Sequence, residues 1–461
     1  MPEEQIMEYG ALTLLPIIFI IVMAVLTRKS FESLLAGSVL ACIIMHGSGF
    51  FLPWVNTLLA AISDPENQSV ILICGLFGSL IALLRESRGT GGFIRIGEKL
   101  CRSERGALLG TFILGIVIFV DDYLNMLTVG LCMRDICDRK KVPREALAYL
   151  LDSTGTPVCV LIPFSTWTAF YISLFMREEA IVNMNFSSGL SMYISTIPFI
   201  FYSIISVIMV FLFAMGWMPK IGLMKKAYER TRATGMTYSE ESRKYNDKEE
   251  TGEKDGQLID FVIPMAVLIG VTVVTEDILS AVILTLFLCM ILYVPRKRIT
   301  FTKWGELLIS GYCEMMPTLA ILVGAFTVAR CCSDMQLPEY VISLVRPYVT
   351  PATYPMIIFL VVSILTFSTS STWGISTIVI PIIIPLGAVV GANMILTMAA
   401  ILSGSTFGSH ACFYSDATVL ASAGAKIENM EHAFSQMPYA IIGAALTCVC
   451  LLISGYAMPA L

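Results

Sequence analysis

Charge is scarce in this 461-residue chain: Asp, Glu, Lys and Arg make up 14% of it, against about a quarter in soluble globular proteins. Histidine is scarcer still. His46, His410 and His432 do not form the His-Glu-x-x-His pattern of a zinc protease, or the several His and Asp of a lipid-modifying enzyme, so neither an enzyme nor a cofactor is expected. The 13 cysteines lie mostly in apolar segments without short repeated spacings, which excludes a zinc framework and reads as buried thiols. No basic cluster is interleaved with aromatics and the net charge is -5, so nucleic acid is not an expected partner. The start, MPEEQIMEYG, lacks a basic n-region and a cleavage site, so the first apolar segment is expected to stay as a transmembrane helix.

What fills the chain is hydrocarbon: 56% hydrophobic residues and a mean hydropathy of +0.78 indicate an all-α polytopic membrane protein. Apolar runs approaching the roughly 20 residues needed to span a bilayer fall near 12–26, 34–45, 70–84, 107–132, 146–175 and 192–218, then near 259–275, 278–294, 307–328, 354–390, 394–423 and 434–456. Between the two sets of six, 219–256 is polar and reads as a solvated, partly disordered cytoplasmic linker.

Lys and Arg crowd the connectors at 28–29, 85–105, 134–144, 220–254 and 296–303, which places these in the cytoplasm. The block holding Asp121 and Asp122 is basic on both flanks, so it is expected to enter and return as a re-entrant hairpin (106–133). The same count makes 354–390 a hairpin entering from outside and gives the halves opposite orientations. The expected architecture is two inverted repeats with about ten transmembrane helices: 1–218, with its hairpin and a broken helix at 145–176, and 257–461, with hairpin 354–390 and a broken helix at 394–424. In such repeats the substrate site lies at the midplane, where discontinuous helices meet.

Asp121 and Asp122 interrupt an apolar run. An intramembrane carboxylate is costly, so it marks a cation or proton path by default. Asn125 lies one turn on. Asp152-Ser153-Thr154-Gly155-Thr156-Pro157 is expected to break its helix and free carbonyls and hydroxyls for a cation. Ser403-Gly404-Ser405-Thr406 to His410 and Ser415-Asp416-Ala417-Thr418 offer the same ingredients in the second half, with Ser370, Ser371 and Thr372 at the tip of its hairpin. Sodium is a hard cation that prefers oxygen ligands, and Asp121, Asp122 and Asp152 are its expected carboxylates, with Asp416 and His410 contributing. Burial disfavours a carboxylate's charged form, so protons and sodium compete for one site. Each residue also has a structural role open to it: the aspartates as helix caps, His410 as a hydrogen-bonded imidazole, and the hydroxyls as links between helices.

The hairpin Val120-Asp121-Asp122-Tyr123-Leu124-Asn125, the run from Leu151-Asp152-Ser153-Thr154 to Ser165-Thr166-Trp167, the turn Ser371-Thr372-Trp373-Gly374, and Phe407-Gly408-Ser409-His410 through Ser415-Asp416-Ala417-Thr418 resemble the NhaC family of sodium/proton antiporters, within the broader ion transporter group. The resemblance implies sodium/proton exchange in the cytoplasmic membrane, with sodium, protons and lipid as partners, and is compatible with a homodimer. Ser409 stands where the family usually has an acid, and Cys412, Phe413 and Tyr414 replace small and proline residues. That departure keeps a second expectation open, a sodium- or proton-coupled carrier of a small organic solute such as an amino acid or a carboxylate.

Overall fold

The computed structural model describes residues 9–27, 29–87, 101–119, 121–163, 165–246, 257, 259–275, 277–337, 340, 343–344 and 346–458. Among them there are helices and no strand. The first half carries α1 (Leu15–Thr27), α2 (Ser30–His46), α3 (Phe51–Ser63), α4 (Pro65–Glu86), α5 (Glu104–Val117), α6 (Asp122–Arg139), α7 (Arg144–Leu161), α8 (Thr166–Phe175), α9 (Glu179–Val182), α10 (Gly189–Thr196) and α11 (Phe201–Ala214). After α12 (Gly222–Thr234) come α13 (Ile259–Thr275), α14 (Ile278–Tyr293), α15 (Phe301–Glu314), α16 (Met316–Asp334), α17 (Tyr354–Thr369), α18 (Thr372–Val390), α19 (Met394–Ala411), α20 (Asp416–Ala425) and α21 (Asn429–Ala457). Among the described residues four helices are each long and apolar enough to cross a membrane, or up to seven spans if each bent pair counts as one. Leu26, Val274, Ile309, Val389 and Ile453 stand exposed on the helix surfaces. A bilayer solvates such side chains at no cost.

Short polar signals decide where helices begin. The residues before α6, α7 and α8 are Asp121, Pro143 and Ser165; those before α18, α19 and α20 are Ser371, Asn393 and Ser415, each 250 positions further on. At one pair the chemistry repeats atom for atom. Ser165 Oγ accepts from the Thr168 amide and donates to the Cys159 carbonyl (3.2 and 2.6 Å), and Ser415 Oγ does the same with Thr418 and Ser409 (3.2 and 2.6 Å).

The helix breaks fall later than the polar blocks suggest. α7 runs through Gly155 and Pro157, and α19 runs through Ser403–His410. The discontinuities come at 162–165, where α7 and α8 are bent by 50°, and at 412–415. Within the helices the hydroxyls are satisfied locally: Thr154 and Thr406 donate to the carbonyls four residues earlier, Leu150 and Leu402, at 2.7 and 2.8 Å.

The polar stretch also departs from expectation. Residues 219–246, read as a solvated tether, are ordered and docked, and the remainder to 256 lies outside the described residues. α12 buries Met224, Ala227, Tyr228 and Thr231 on one face, the i, i+3, i+4, i+7 spacing of an amphipathic helix. Arg230 forks onto buried Glu145 at 2.8 and 3.0 Å. Arg144, 1% exposed, binds both Asp138 and Asn246, and Asn246 reaches the Lys426 carbonyl at 3.1 Å. The segment thus grips the α6–α7 and α20–α21 corners. Lys220, at the α11–α12 corner, lies over the Phe213 ring, 3.2 Å from its centroid, and burial pushes its pKa down to about 8.

The halves share one interior. α4 packs along α15, and α6 along α20. Both contacts need glycine, because a Cβ on Gly78 would meet the Gly311 carbonyl oxygen at 2.3 Å, and one on Gly130 would meet Gly424 backbone atoms at 2.8 Å. Small residues of this kind let membrane helices touch backbone to backbone.

Candidate functional site

The N-termini of α6 and α20, brought side by side by that glycine contact, open on a cavity of about 400 Å³. Asp121, Asp416, Tyr123 and Thr166 line it, together with the α17–α18 turn, residues 369–374, and two further acids, Asp64 and Asp277. Asp121 is the cap of α6: its Oδ1 accepts the amides of Tyr123 and Leu124 at 2.8 and 3.1 Å, and its Oδ2 accepts from Thr166 Oγ1 at 2.9 Å. Asp416 is not a cap, since Ser415 fills that position. Its Oδ2 accepts the Tyr123 hydroxyl at 2.5 Å. The two halves therefore each place an acid in this cavity.

The other expected residues lie behind it. Asp122, buried, accepts from Thr156 Oγ1 at 2.9 Å and is not among the residues lining the cavity. Asn125 donates to the Gly115 and Ile118 carbonyls at 2.5 and 2.6 Å, holding the end of α5. Asp152 is fully buried: Oδ2 receives Gln436 Nε2 at 2.6 Å, His432 Nε2 at 3.1 Å and Thr418 Oγ1 at 3.5 Å. His410 bonds Ser153 Oγ at 3.0 Å and the Tyr202 hydroxyl at 2.7 Å. Ser405 meets Ser376 at 3.3 Å, and Ser376 meets Tyr171 at 2.7 Å. Asp121, Asp122 and Asp152, expected together around one sodium ion, occupy three separate hydrogen-bonded neighbourhoods. Among the described residues no three His, Cys, Asp or Glu side chains converge on a metal position. Asp121 is the extended N-cap and Asp122 the first helical residue, so the two side chains leave the backbone in different directions, and only Asp121 lines the cavity.

A sequence model of the Na+/H+ antiporter family matches residues 158–456. The chain belongs to the Na+/H+ antiporter family. With its apolar helices, that membership makes it a multi-pass membrane protein of a transporter family. A Haemophilus influenzae protein described as uncharacterized is 28% identical over 480 residues, covering 96% of this chain and 91% of its own. A Bacillus subtilis malate-2H(+)/Na(+)-lactate antiporter is 27% identical over 109 residues, 24% of this chain and 23% of that protein. The solved structure of Neisseria gonorrhoeae MtrF, presented as illuminating a class of antimetabolite efflux pumps, aligns with a TM-score of 0.38 at 11% identity over 95% of this chain and 94% of that one.

For an antiporter-family cavity the structure adds Tyr123, Thr166, Trp373 and Arg330 to its lining, and His432 and Gln436 to the cluster behind it. Thr166 had a signal, since it stands 250 residues before Asp416 and follows an equivalent serine. His432 had none, because its partner Asp152 is 280 residues away.

Proposed function

We propose that the chain exchanges sodium for protons across the cytoplasmic membrane by alternating access. The halves are inverted repeats of about ten spanning helices in all, and the two hairpin tips re-enter the membrane. The observation that carries this reading is that Asp121 from the first half and Asp416 from the second line a single cavity. A sodium ion there has two carboxylates, the Thr166 hydroxyl and the Tyr123 phenol as hard oxygen ligands. A proton on either carboxylate removes the charge that holds the ion, so the two cargoes exclude each other. Asp122, Asp152 and His410, with the hydroxyls around them, brace the acids from behind.

The test is sodium-driven proton movement in proteoliposomes carrying a trapped pH dye. Asp416→Asn should abolish it in protein that still elutes and melts like the wild type, and undiminished exchange would remove Asp416 from the mechanism. One observation favours the second reading, a coupled carrier of a small organic solute: about 400 Å³ far exceeds what one cation fills and lies within the usual range for small-molecule pockets.

A further inference from the structure

Away from the cavity acids, two thiols from different halves of the chain face each other. We infer that Cys42 of α2 and Cys331 of α16 form a reversible disulfide, a redox-set staple between the first half and the second. Both are free thiols and buried, 0% and 1% exposed, and their sulfurs stand 4.0 Å apart. A disulfide bond is about 2 Å long, so each sulfur must move by roughly 1 Å, which rotation about the two Cα–Cβ bonds can supply. Cys331 Sγ also lies 3.9 Å from the carbonyl oxygen of Ser38, one turn before Cys42 on α2.

The surroundings single out this pair. With Ala41 and Met335 the two cysteines make a small cluster of their own, packed under Tyr9, Phe50 and Trp54 and separate from the two large cores. Trp54 Nε1 donates to Ser38 Oγ at 3.0 Å, fixing the ring against α2. Cys332, the next residue, packs instead in one of the large cores. The cluster lies one turn from the ends of α2 and α16, where His46 and Asp334 are exposed. Basic connectors at 28–29 and 296–303 precede α2 and α15, and α15 with α16 makes one bent span. In the topology proposed above, both ends are therefore the outer ones, on the side where disulfides form and persist.

Hydrogen peroxide, small and uncharged, is an oxidant able to reach a covered pair. One thiol attacks it, becoming a sulfenic acid and releasing water; the second thiol attacks that sulfur, expels its hydroxyl as a second water and closes the S–S bond. Two thiols thus lose two electrons and two protons, and one peroxide is reduced to two waters. The bond joins positions 289 apart, and the entropy that a cross-link removes from the unfolded chain grows with such a span. It also pins α16, whose Phe326, Ala329, Arg330 and Ser333 line the cavity. Cysteines that only fill space as small apolar groups would give neither effect.

The experiment treats the full-length protein in detergent with hydrogen peroxide, blocks remaining thiols with iodoacetamide, digests without reductant and maps the peptides by mass spectrometry. The expected product is a cross-linked peptide joining Cys42 to Cys331, two hydrogens lighter than its parts and lost on treatment with dithiothreitol. The melting temperature should rise by a few degrees as the cross-link forms and fall back on reduction. Cys42→Ala and Cys331→Ala should each lose both the cross-link and the rise, and Cys332→Ala should keep both. Absence of that peptide from the oxidised wild type, sulfinic acid at either cysteine in its place, or a rise that survives Cys42→Ala overturns the assignment. The proteoliposome assay on reduced protein separates the two claims: exchange without a cross-link sinks this inference alone, and a cross-link without exchange sinks only the exchange.

Discussion

At the residue scale the buried acids differ in what they can lose. Asp121 does two jobs, capping α6 and presenting charge, and asparagine caps about as well as aspartate. Asp121→Asn should therefore melt near the wild type, whereas Asp121→Ala should lose about 1 kcal/mol, with sodium-driven exchange lost in both. Asp152 has a different role. It gathers donors from Gln436 and His432, so Asp152→Ala leaves buried donors unmatched and should cost about 3 kcal/mol, read as a lower denaturation midpoint in detergent. Asp121 and Asp416 were legible as acids in apolar sequence, and both line the cavity. Their division from Asp122 and Asp152 was not, because it depends on which way each side chain leaves its helix and on partners such as His432, 280 residues distant.

At the scale of elements, the docked segment is the clearest departure from the reading of the sequence. Its composition is that of a tether, and composition averages away a spacing that only four buried positions of α12 reveal. The Arg230–Glu145 fork anchors it, so Arg230→Ala should speed protease cleavage between 219 and 246 while leaving the membrane helices intact, as followed by mass spectrometry of the fragments. Lys220 makes the same corner sensitive to pH. With its folded pKa near 8 and its ordinary value 10.5, the unfolded chain holds a proton that the folded chain has released, so stability rises with pH between those values. Lys220→Met should flatten that rise in melting curves taken from pH 7 to 10. The helix breaks teach a related lesson: Gly155 and Pro157 warn of a weak point, but α7 runs past them to Leu161, and the interruption lies before Ser165, the serine that caps α8.

For the whole molecule, the glycine contacts between halves are the most exposed to attack. Gly130→Leu would drive a side chain into the Gly424 backbone, and overpacking of a tight interior typically costs about 1–3 kcal/mol. Here backbone must yield, so the loss should lie at the upper end, with a lower melting temperature and lost exchange together. The pairing of Gly130 with Gly424 was invisible beforehand, since each is an ordinary glycine in its own helix.

That contact also constrains how the protein could work. Welded through Gly130 and Gly424, α6 and α20 bring one acid each to a seat that cannot spread without tearing the weld. In the proposed exchange, α6 and α20 therefore act as one body that carries both carboxylates.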